Sequence, residues 1–275
     1  MTDKLAQVVV TRVRDDQRSS APDVVAAEVP LELRMEGRPF AVIMRTPGDD
    51  RSLAAGFLLS ERLIRRVDDV ATIEQCTDVS LAQDDDRRNV VNVTLDAATS
   101  DRAVALLAGR RDVMSSSACG VCGRLTLASL RDDLVPLCAD ALVSTRVLAE
   151  LPAQLRDRQP VFASTGGLHA AGIFDLTGQP RVVAEDVGRH NAVDKVIGTC
   201  LLRDELPLSE SILCVSGRTS FEIVQKAWCA GIPVVASLSA PSSLAVSLAT
   251  DAGITLVGFV RDGGLNVYSG VARII

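Results

Sequence analysis

The chain has 275 residues, of which 47% are apolar, and its 29 basic and 35 acidic side chains give a net charge of −6. This length and apolar content are enough to bury a large core, in one large or two modest domains. The acidic balance and the 3% of aromatic residues argue against nucleic-acid binding, which relies on basic patches and stacking rings.

No export signal or membrane span is predicted. Residues 1–25 lack the basic segment and long apolar core of a signal peptide. The uncharged run at 227–250 is long enough to span a membrane, but Pro233 and Pro241 favour a strand, a turn and a helix start. The odd cysteine count fits a reducing compartment. We therefore expect a cytoplasmic protein without membrane contact.

The N-terminal half is predicted to contain a tail and a small α+β domain. Residues 1–25 are polar and mixed in charge, so we expect an irregular N-terminus with one edge strand at 8–13. The small domain spans 26–110. Its apolar patterns predict a hairpin at 31–36 and 40–44, a helix after Asp49 and Asp50, strands near Ile73 and at 90–95, and a helix at 103–107.

The C-terminal half is predicted to be a layered α/β domain. Residues 111–160 are expected to form a cysteine-containing loop and bridging helices at 124–131 and 145–155. From 161 to 275, strands alternate with helices, a pattern typical of α/β folds. These strands look buried on both faces, so we expect a mixed, mostly parallel sheet.

Cys119 and Cys122 give the strongest chemical signal in the chain. They are three positions apart in a glycine-flanked segment, next to Arg124. Nearby cations lower the pKa of a thiol, and the thiolate is the form that attacks sulfur or binds a soft metal. The pair could exchange disulfides, carry a persulfide or hold a metal. The other cysteines are predicted to be small buried apolar residues: Cys76, Cys138, Cys200, Cys214 and Cys229.

The sequence offers an incomplete set of ligands for zinc. One Cys-x-x-Cys supplies half of a tetrahedral site, and the sequence has no second pair. Completing the site would need His169, His190 or a scattered cysteine to converge on it. We therefore expect no resident metal.

Two segments have the composition of anion-binding loops. Residues 216–220 lie between a predicted strand and a predicted helix, where backbone N–H groups and the helix dipole attract phosphate. Gly217 permits close approach and Arg218 can bind phosphate through two N–H groups, although a capped helix with a solvated arginine is the plain alternative. Residues 259–264 offer an aromatic ring, an arginine and two glycines, which also fit a simple turn.

Two further segments place polar groups at predicted strand ends. Residues 185–191 include Asp186, Arg189 and His190, and we favour a site role over a plain helix start, because ligands in α/β folds gather at the carboxyl ends of strands. Residues 165–169 add two glycines and His169. A lone histidine is more often structural.

Five strings occur in order along the chain. They begin at Cys119, Thr165, Glu185, Val215 and Ala240, and they read CGVCG, TGGLHAA, EDVGRHNAVDK, VSGRTSFE and APSSLA. Together they resemble the formate dehydrogenase accessory sulfurtransferase family, FdhD. The resemblance covers about residues 30–270, nearly the whole chain.

This resemblance implies a cytoplasmic sulfurtransferase. It would take persulfide sulfur from a cysteine desulfurase and pass it to the molybdenum bis(guanine dinucleotide) cofactor, its bound substrate, before formate dehydrogenase takes up the cofactor. Cys119 would carry the persulfide, and Cys122 would be the partner thiol that relays the sulfur or reduces an unproductive adduct. The family's cofactor-binding stretch falls on Phe259, Val260, Arg261, Asp262, Gly263 and Gly264.

The anion loops would hold the guanine nucleotide arms of the cofactor. The residues predicted to contact it there are Gly217, Arg218, Thr219, Ser220, Gly166, Gly167, His169, Asp186, Arg189 and His190.

The resemblance also implies that the C-terminal half is similar to the cytidine deaminase fold, a three-layer α/β arrangement. Deaminase chemistry is not expected, because those enzymes need His-x-Glu followed by Pro-Cys-x-x-Cys around zinc. Here His169 is followed by Ala170 and Ala171, and the Cys-x-x-Cys comes earlier in the chain.

Two other functions stay open at the level of sequence. The protein could bind and hand over the cofactor without sulfur chemistry, or it could cycle Cys119 and Cys122 as a dithiol redox protein. The apolar content leaves room for a homodimer interface.

Overall fold

The computed structural model describes residues 4–76, 88–108, 135–138, 140–261 and 263–275. Within these ranges the strands are β1 Leu5–Arg14, β2 Gln17–Ala26, β3 Val29–Met35, β4 Arg38–Arg45, β5 Val70–Gln75, β6 Val90–Leu95, β7 His169–Asp175, β8 Pro180–Asp186, β9 Ser211–Val215, β10 Val234–Ser237, β11 Thr255–Arg261 and β12 Gly264–Ser269. The α-helices are α1 Asp50–Ser60, α2 Ala97–Ala108, α3 Thr145–Arg156, α4 Pro160–Thr165, α5 Arg189–Leu202, α6 Phe221–Cys229 and α7 Ser243–Asp251. The helix predicted at 124–131 lies outside the described residues.

The N-terminus forms a regular hairpin, so the prediction of an irregular tail at 1–25 is wrong. Strand β1 pairs with β2 along its full length in antiparallel register. Asp15 and Asp16 connect the strands with φ values of 47° and 63°. Two successive left-handed residues suit the twist of a two-residue hairpin turn. An Asp-Asp pair is a weaker turn signal than Asn-Gly, and the mixed charge of the segment conceals the strands.

A four-stranded sheet in the order β4-β3-β6-β5 forms the small N-terminal layer. The predicted hairpin is confirmed as β3 and β4, and the helix predicted after Asp49 and Asp50 is confirmed as α1. Helix α2 begins earlier than predicted. The carboxylate of Asp96 accepts hydrogen bonds from the backbone N–H groups of Ala98 and Thr99 at 3.0 and 3.3 Å, and these bonds cap the earlier start.

A six-stranded sheet in the order β12-β11-β10-β9-β7-β8 forms the C-terminal half. Strands β9, β10 and β11 are parallel neighbours, whereas the β7–β8, β7–β9 and β11–β12 pairs are antiparallel. The predicted mixed sheet is therefore confirmed, but the prediction that it is mostly parallel is wrong. Short connections follow β7 and β11, and a short connection can only join antiparallel neighbours.

Helices cover both faces of this sheet and give it three layers. Helices α5, α6 and α7 pack on one face, in a core that continues into the small N-terminal sheet. Helix α3 packs on the other face with Leu148, Leu151 and Leu155. The two halves of the chain therefore share one apolar core. The similarity to the cytidine deaminase fold stays a prediction.

Helices α1 and α5 cross at two glycines. A Cβ atom on Gly56 would collide with the backbone oxygen of Asp194, and one on Gly198 would collide with the backbone oxygen of Ser52. The two backbones therefore approach too closely for any side chain. This crossing attaches the small layer to α5, the helix that begins at Arg189.

No helix in the described part of the chain is both long and apolar enough to cross a membrane. The run at 227–250 forms the end of α6, strand β10 and most of α7, as its prolines and serines predict.

Candidate functional site

The predicted loops meet at one edge of the six-stranded sheet, which we call the loop edge. Strands β8, β9, β10 and β11 end there, and β7 begins there because it runs antiparallel to β8 and β9. Neighbouring strands are about 4.8 Å apart, so the loops from β8 to β11 extend over roughly 19 Å. The loop edge consists of residues 166–169, 186–190, 216–220, 238–242, 259–261 and 263–264.

The loop after β9 brings Gly217 close to a histidine and an arginine side chain. A Cβ atom at Gly217 would lie 3.3 Å from Nδ1 of His169 and 3.9 Å from Cδ of Arg189. In the same loop, Oγ1 of Thr219 is buried and has no hydrogen-bond partner among the described residues. The absence of a side chain at Gly217 therefore lets His169 and Arg189 approach the backbone before α6.

Ser220 occupies the N-cap position of α6 but does not cap the helix with its side chain. Its Oγ lies 3.1 Å from Nε2 of His190. Oε2 of Glu222 lies 3.7 Å from the same nitrogen. The first N–H groups of α6 thus donate no hydrogen bond to the N-cap side chain, and the positive end of the helix dipole lies at the loop edge.

Burial and nearby cations keep the two histidines neutral at pH 7. The pKa of His190 is lowered to about 4, first by burial and then by the charges of Arg189 and Lys226. The pKa of His169 is also lowered, first by burial and then by Arg189 and Arg218. Each neutral ring can donate one hydrogen bond and accept another. The positive charge of this part of the loop edge therefore comes from arginine.

Arg189 and Arg218 have no acidic partner within the described ranges. Arg218 is exposed, and Arg189, the first residue of α5, is half-buried. The Nε atom of Arg189 is buried and makes no hydrogen bond to a described residue. Unused guanidinium donors beside an uncapped helix N-terminus suit a phosphate group or a similar anion.

Asp186 faces the interior, which argues against its predicted contact with the cofactor. It is fully buried, and its carboxylate lies 2.8 Å from Nζ of Lys195. It also accepts hydrogen bonds from the Gly188 N–H and the Asn191 side-chain amide, each at 2.8 Å. Interior donors therefore occupy this carboxylate.

The end of β11 places an aromatic ring and a guanidinium at the loop edge. Phe259 has a φ of 52°, a left-handed conformation that is rare for a bulky residue, and its N–H donates to the Ser239 oxygen at 3.2 Å. The guanidinium carbon of Arg261 lies 5.6 Å from the centre of the Phe259 ring. A half-buried ring and an exposed arginine together can stack on and hydrogen-bond to a nucleobase.

The remaining residues of this stretch have different surroundings. Val260 is fully buried in the core under α3, where its side chain has a packing role, which argues against its predicted contact with the cofactor. Gly263 and Gly264 are exposed, and Gly263 turns the chain with a φ of 75°. Asp262 lies outside the described residues.

Gly166 and Gly167 are exposed at the loop edge. Gly166 ends α4 in the left-handed conformation, with a φ of 67°, and its N–H donates to the Phe162 oxygen at 2.7 Å. A Cβ atom on Gly167 would lie 3.6 Å from Cβ of Ala26. The end of the N-terminal hairpin therefore contacts this side of the site.

Cys119 and Cys122 lie outside the described residues, and their roles stay predictions. Among the other cysteines, Cys200 and Cys214 are buried, and burial raises the pKa of each thiol to about 12. Cys76 is also buried. Cys138 is exposed and Cys229 is half-buried, so the prediction of burial is wrong for these two.

Three residues that are not among the predicted cofactor contacts support the loop edge from the interior: Thr46, Asn191 and Lys195. Asn191 and Lys195 belong to the EDVGRHNAVDK string, so a signal for them exists. Thr46 is 140 positions from Asp186, and no local pattern links the two.

The parts of the chain with described positions contain no group of three or more His, Cys, Asp or Glu side chains that could hold a metal ion. The expectation of no resident metal stays a prediction, since Cys119 and Cys122 are not among those residues.

Known proteins are similar to this chain in sequence and fold over almost their full length. The model of the FdhD/NarQ family matches residues 26–275. A sulfur carrier protein FdhD from Streptomyces coelicolor is 47% identical over 268 residues, which cover 96% of this chain and 94% of that protein. Another from Nocardia farcinica is 50% identical over 254 residues, which cover 92% of this chain and 88% of that protein.

A crystal structure of a formate dehydrogenase accessory protein from Desulfotalea psychrophila superposes with a TM-score of 0.75 at 25% sequence identity. The match covers 98% of this chain and 99% of that one. The family model, the relatives and the fold agree, and the chain belongs to the FdhD/NarQ family.

Proposed function

We propose that this protein is a cytoplasmic sulfur carrier in the maturation of formate dehydrogenase. It takes persulfide sulfur from a cysteine desulfurase and transfers it to the molybdenum bis(guanine dinucleotide) cofactor, its substrate. Its relatives from Streptomyces coelicolor and Nocardia farcinica are sulfur carrier proteins, which supports this role. The observation that carries the choice of acceptor is the loop edge, where anion-binding and base-stacking groups lie side by side.

The spacing of these groups supports a nucleotide as the ligand. Arg218 follows β9 and Phe259 lies near the end of β11, and β10 separates the two strands. Two strand spacings amount to about 10 Å, the scale of a nucleoside diphosphate. In this arrangement the phosphates bind at Gly217 and the two arginines, and the guanine binds at Phe259 and Arg261.

Cys119 is the residue that carries the sulfur. Its thiolate attacks the terminal sulfur of the donor persulfide, a new S–S bond forms, and the donor cysteine leaves as a thiolate. Transfer to the metal as sulfide requires two electrons. The Cys122 thiolate supplies them by forming a disulfide with Cys119, and a cellular thiol then reduces this disulfide.

The chain length on the C-terminal side of the pair permits this delivery. The Trp228 ring N–H donates to the Val135 oxygen at 2.9 Å, and Trp228 lies at the end of α6 farthest from the loop edge. Cys122 precedes Val135 by thirteen positions. Thirteen residues can span at most about 45 Å. The distance along the sheet to the loop edge is the length of a seven-residue strand, about 23 Å, so the chain is long enough to bring Cys122 there.

The test is intact-mass analysis after incubation with a cysteine desulfurase and cysteine. We expect the mass of one added sulfur atom, located by peptide mapping at Cys119 and lost in Cys119→Ala. Cys138→Ala is the matched control, because Cys138 is the exposed thiol of the described residues. A protein that binds the cofactor but never gains sulfur would be a cofactor chaperone. Reduction of a disulfide substrate without sulfur gain would indicate a dithiol redox protein.

A further inference from the structure

The turn between β8 and α5 is held by a buried polar cluster. Besides the contacts already described, the Asp186 carboxylate accepts a hydrogen bond from the Thr46 N–H at 3.2 Å. Lys195 pairs with this carboxylate and donates to the Thr46 oxygen at 2.8 Å. All three side chains are fully buried. The cluster lies directly below the residues that precede Arg189 and His190.

Thr46 contacts this turn through its side chain as well. Its Oγ1 accepts a hydrogen bond from the Val187 N–H at 3.2 Å. Thr46 follows β4, the edge strand of the small N-terminal sheet. The backbone N–H groups of Val187 and Gly188 are therefore held by two residues, Thr46 and Asp186, that are far apart in the sequence.

We propose that Thr46 and the buried Asp186–Lys195 pair are positioning residues that fix Arg189 and His190 at the loop edge. This inference rests on the proposed function, in which Arg189 binds the phosphates of the nucleotide. Thr46 itself contacts no ligand. It acts through Val187 and Gly188, the two residues immediately before Arg189.

Energetics favour positioning over a contribution to stability. Removing two charges from water costs about as much as their mutual attraction returns, so a buried ion pair is a poor source of stability. A satisfied polar network instead fixes one geometry, because its bonds are directional. Here the bonds converge on a single turn, and that turn leads to the half-buried Arg189, whose Nε has no hydrogen-bond partner in the described ranges.

The variants Thr46→Val and Thr46→Ser test this role. Valine keeps the shape of threonine but removes the acceptor for the Val187 N–H, whereas serine retains that acceptor. We expect Thr46→Val to weaken the binding of guanosine diphosphate about three- to tenfold in calorimetry, and Thr46→Ser to bind nearly as well as the parent protein.

The second readout needs no ligand. In nitrogen-detected NMR titration, Thr46→Val should raise the pKa of His190 from about 4 towards 6.5, since a loosened turn exposes the ring. Thr46→Ser should leave it unchanged. The chain has two histidines, so their signals can be assigned with a single His169→Gln variant.

Thr99→Val is the matched control for stability. Thr99 is also buried, and its Oγ1 donates to Asp69 at 3.2 Å near β5, the opposite edge strand of the small sheet. This control should lower the unfolding temperature without changing nucleotide affinity or the His190 titration. If Thr46→Val fails to fold, the neutral pair Asp186→Asn with Lys195→Met takes its place, with the same two expected changes.

The two ideas fail in different ways. Thr46→Val that changes neither affinity nor the His190 pKa would refute the positioning role, whatever its stability. If the parent protein bound no guanosine diphosphate, the nucleotide-binding part of the proposed function would be wrong. The His190 titration would then decide the positioning role without reference to any ligand.

Discussion

His190 and Ser220 connect the first turns of two helices at the loop edge. Nε2 of His190 lies 3.1 Å from Oγ of Ser220, so the N-cap hydroxyl of α6 contacts a residue of α5 and does not cap its own helix. The contact couples the charge state of one half-buried ring to the geometry at a helix start that its N-cap side chain does not cap. Both the pH dependence of the protein and its anion affinity should therefore involve His190.

We predict that the protein loses stability as the pH falls from 6.5 to about 4 because of His190. The unfolded chain takes up a proton on this ring near pH 6.5, whereas the folded protein resists protonation until about pH 4. The unfolded state thus binds more protons in this window, and the free energy of unfolding decreases by about 2 to 3 kcal/mol. Below pH 4 the contribution levels off.

Urea titrations between pH 4 and 7.5 measure this loss, with His190→Gln as the comparison. The glutamine amide can still bond to Ser220 but does not titrate, so the variant should show a smaller decrease across the window. Parallel curves for the two proteins would show that His190 is not the responsible group.

Gly217→Ala should weaken anion binding with little effect on stability. The new Cβ atom would lie 3.3 Å from Nδ1 and 3.5 Å from Cε1 of His169, so the ring must shift by a few tenths of an ångström. We expect guanosine diphosphate to bind roughly five- to tenfold more weakly and the unfolding free energy to change by less than about 1 kcal/mol. Calorimetry and urea unfolding measure the two quantities.

Gly37→Ala is the control with the opposite pattern. Gly37 turns the β3–β4 hairpin with a φ of 72°, and an added Cβ would meet nothing within 4 Å. Backbone strain should cost about 1 kcal/mol of stability while nucleotide affinity stays the same. Equal affinity losses in the two variants would argue against a specific role for Gly217.

The sequence predicts the elements well where apolar periodicity is strong. Helices α1 and α3 and strands β9 to β11 lie where the pattern places them, because their core positions recur at helical or strand spacing. The predicted gathering of polar loops is also present, since ligands collect where parallel strands end. The reversal of β7 brings His169 to the same edge, and only the strand pairing shows this.

Burial of individual polar residues is the part that sequence reasoning misses. Asp186 and Arg189 are three positions apart in one polar string, yet Asp186 is fully buried and Arg189 reaches the loop edge. The partners that decide this include Thr46, which is distant in the sequence and has no distinctive neighbours. Val260 is a similar case, because a core residue lies between two site residues on one strand.

Arg218→Ala and Arg261→Ala should separate phosphate binding from base binding. Arg218 lies at the uncapped start of α6, so Arg218→Ala should weaken the binding of guanosine diphosphate about tenfold and leave the binding of guanosine unaffected. Arg261 lies near the Phe259 ring, so Arg261→Ala should weaken the binding of both ligands by a similar factor. Arg38→Ala, on the small sheet, controls for the change in net charge. Identical losses from Arg218→Ala for both ligands would contradict this division of the loop edge.

Gly198→Ala should strongly destabilise the protein and thereby disconnect the small layer from the loop edge. A methyl group on an exposed helical glycine ordinarily adds about 1 kcal/mol of stability. At Gly198 it would collide with the backbone oxygen of Ser52 in α1, and a backbone cannot move aside as a side chain can. We therefore expect a loss of about 3 kcal/mol or more in urea unfolding.

Gly56→Ala should behave in the same way, because its Cβ would collide with the backbone oxygen of Asp194 across the same helix pair. If either variant separated α1 from α5, the contacts of Thr46 with Asp186 would lengthen, and the His190 pKa would rise together with the loss of stability. A Gly198→Ala protein that was as stable as its parent would mean that the two helices do not cross this closely in solution.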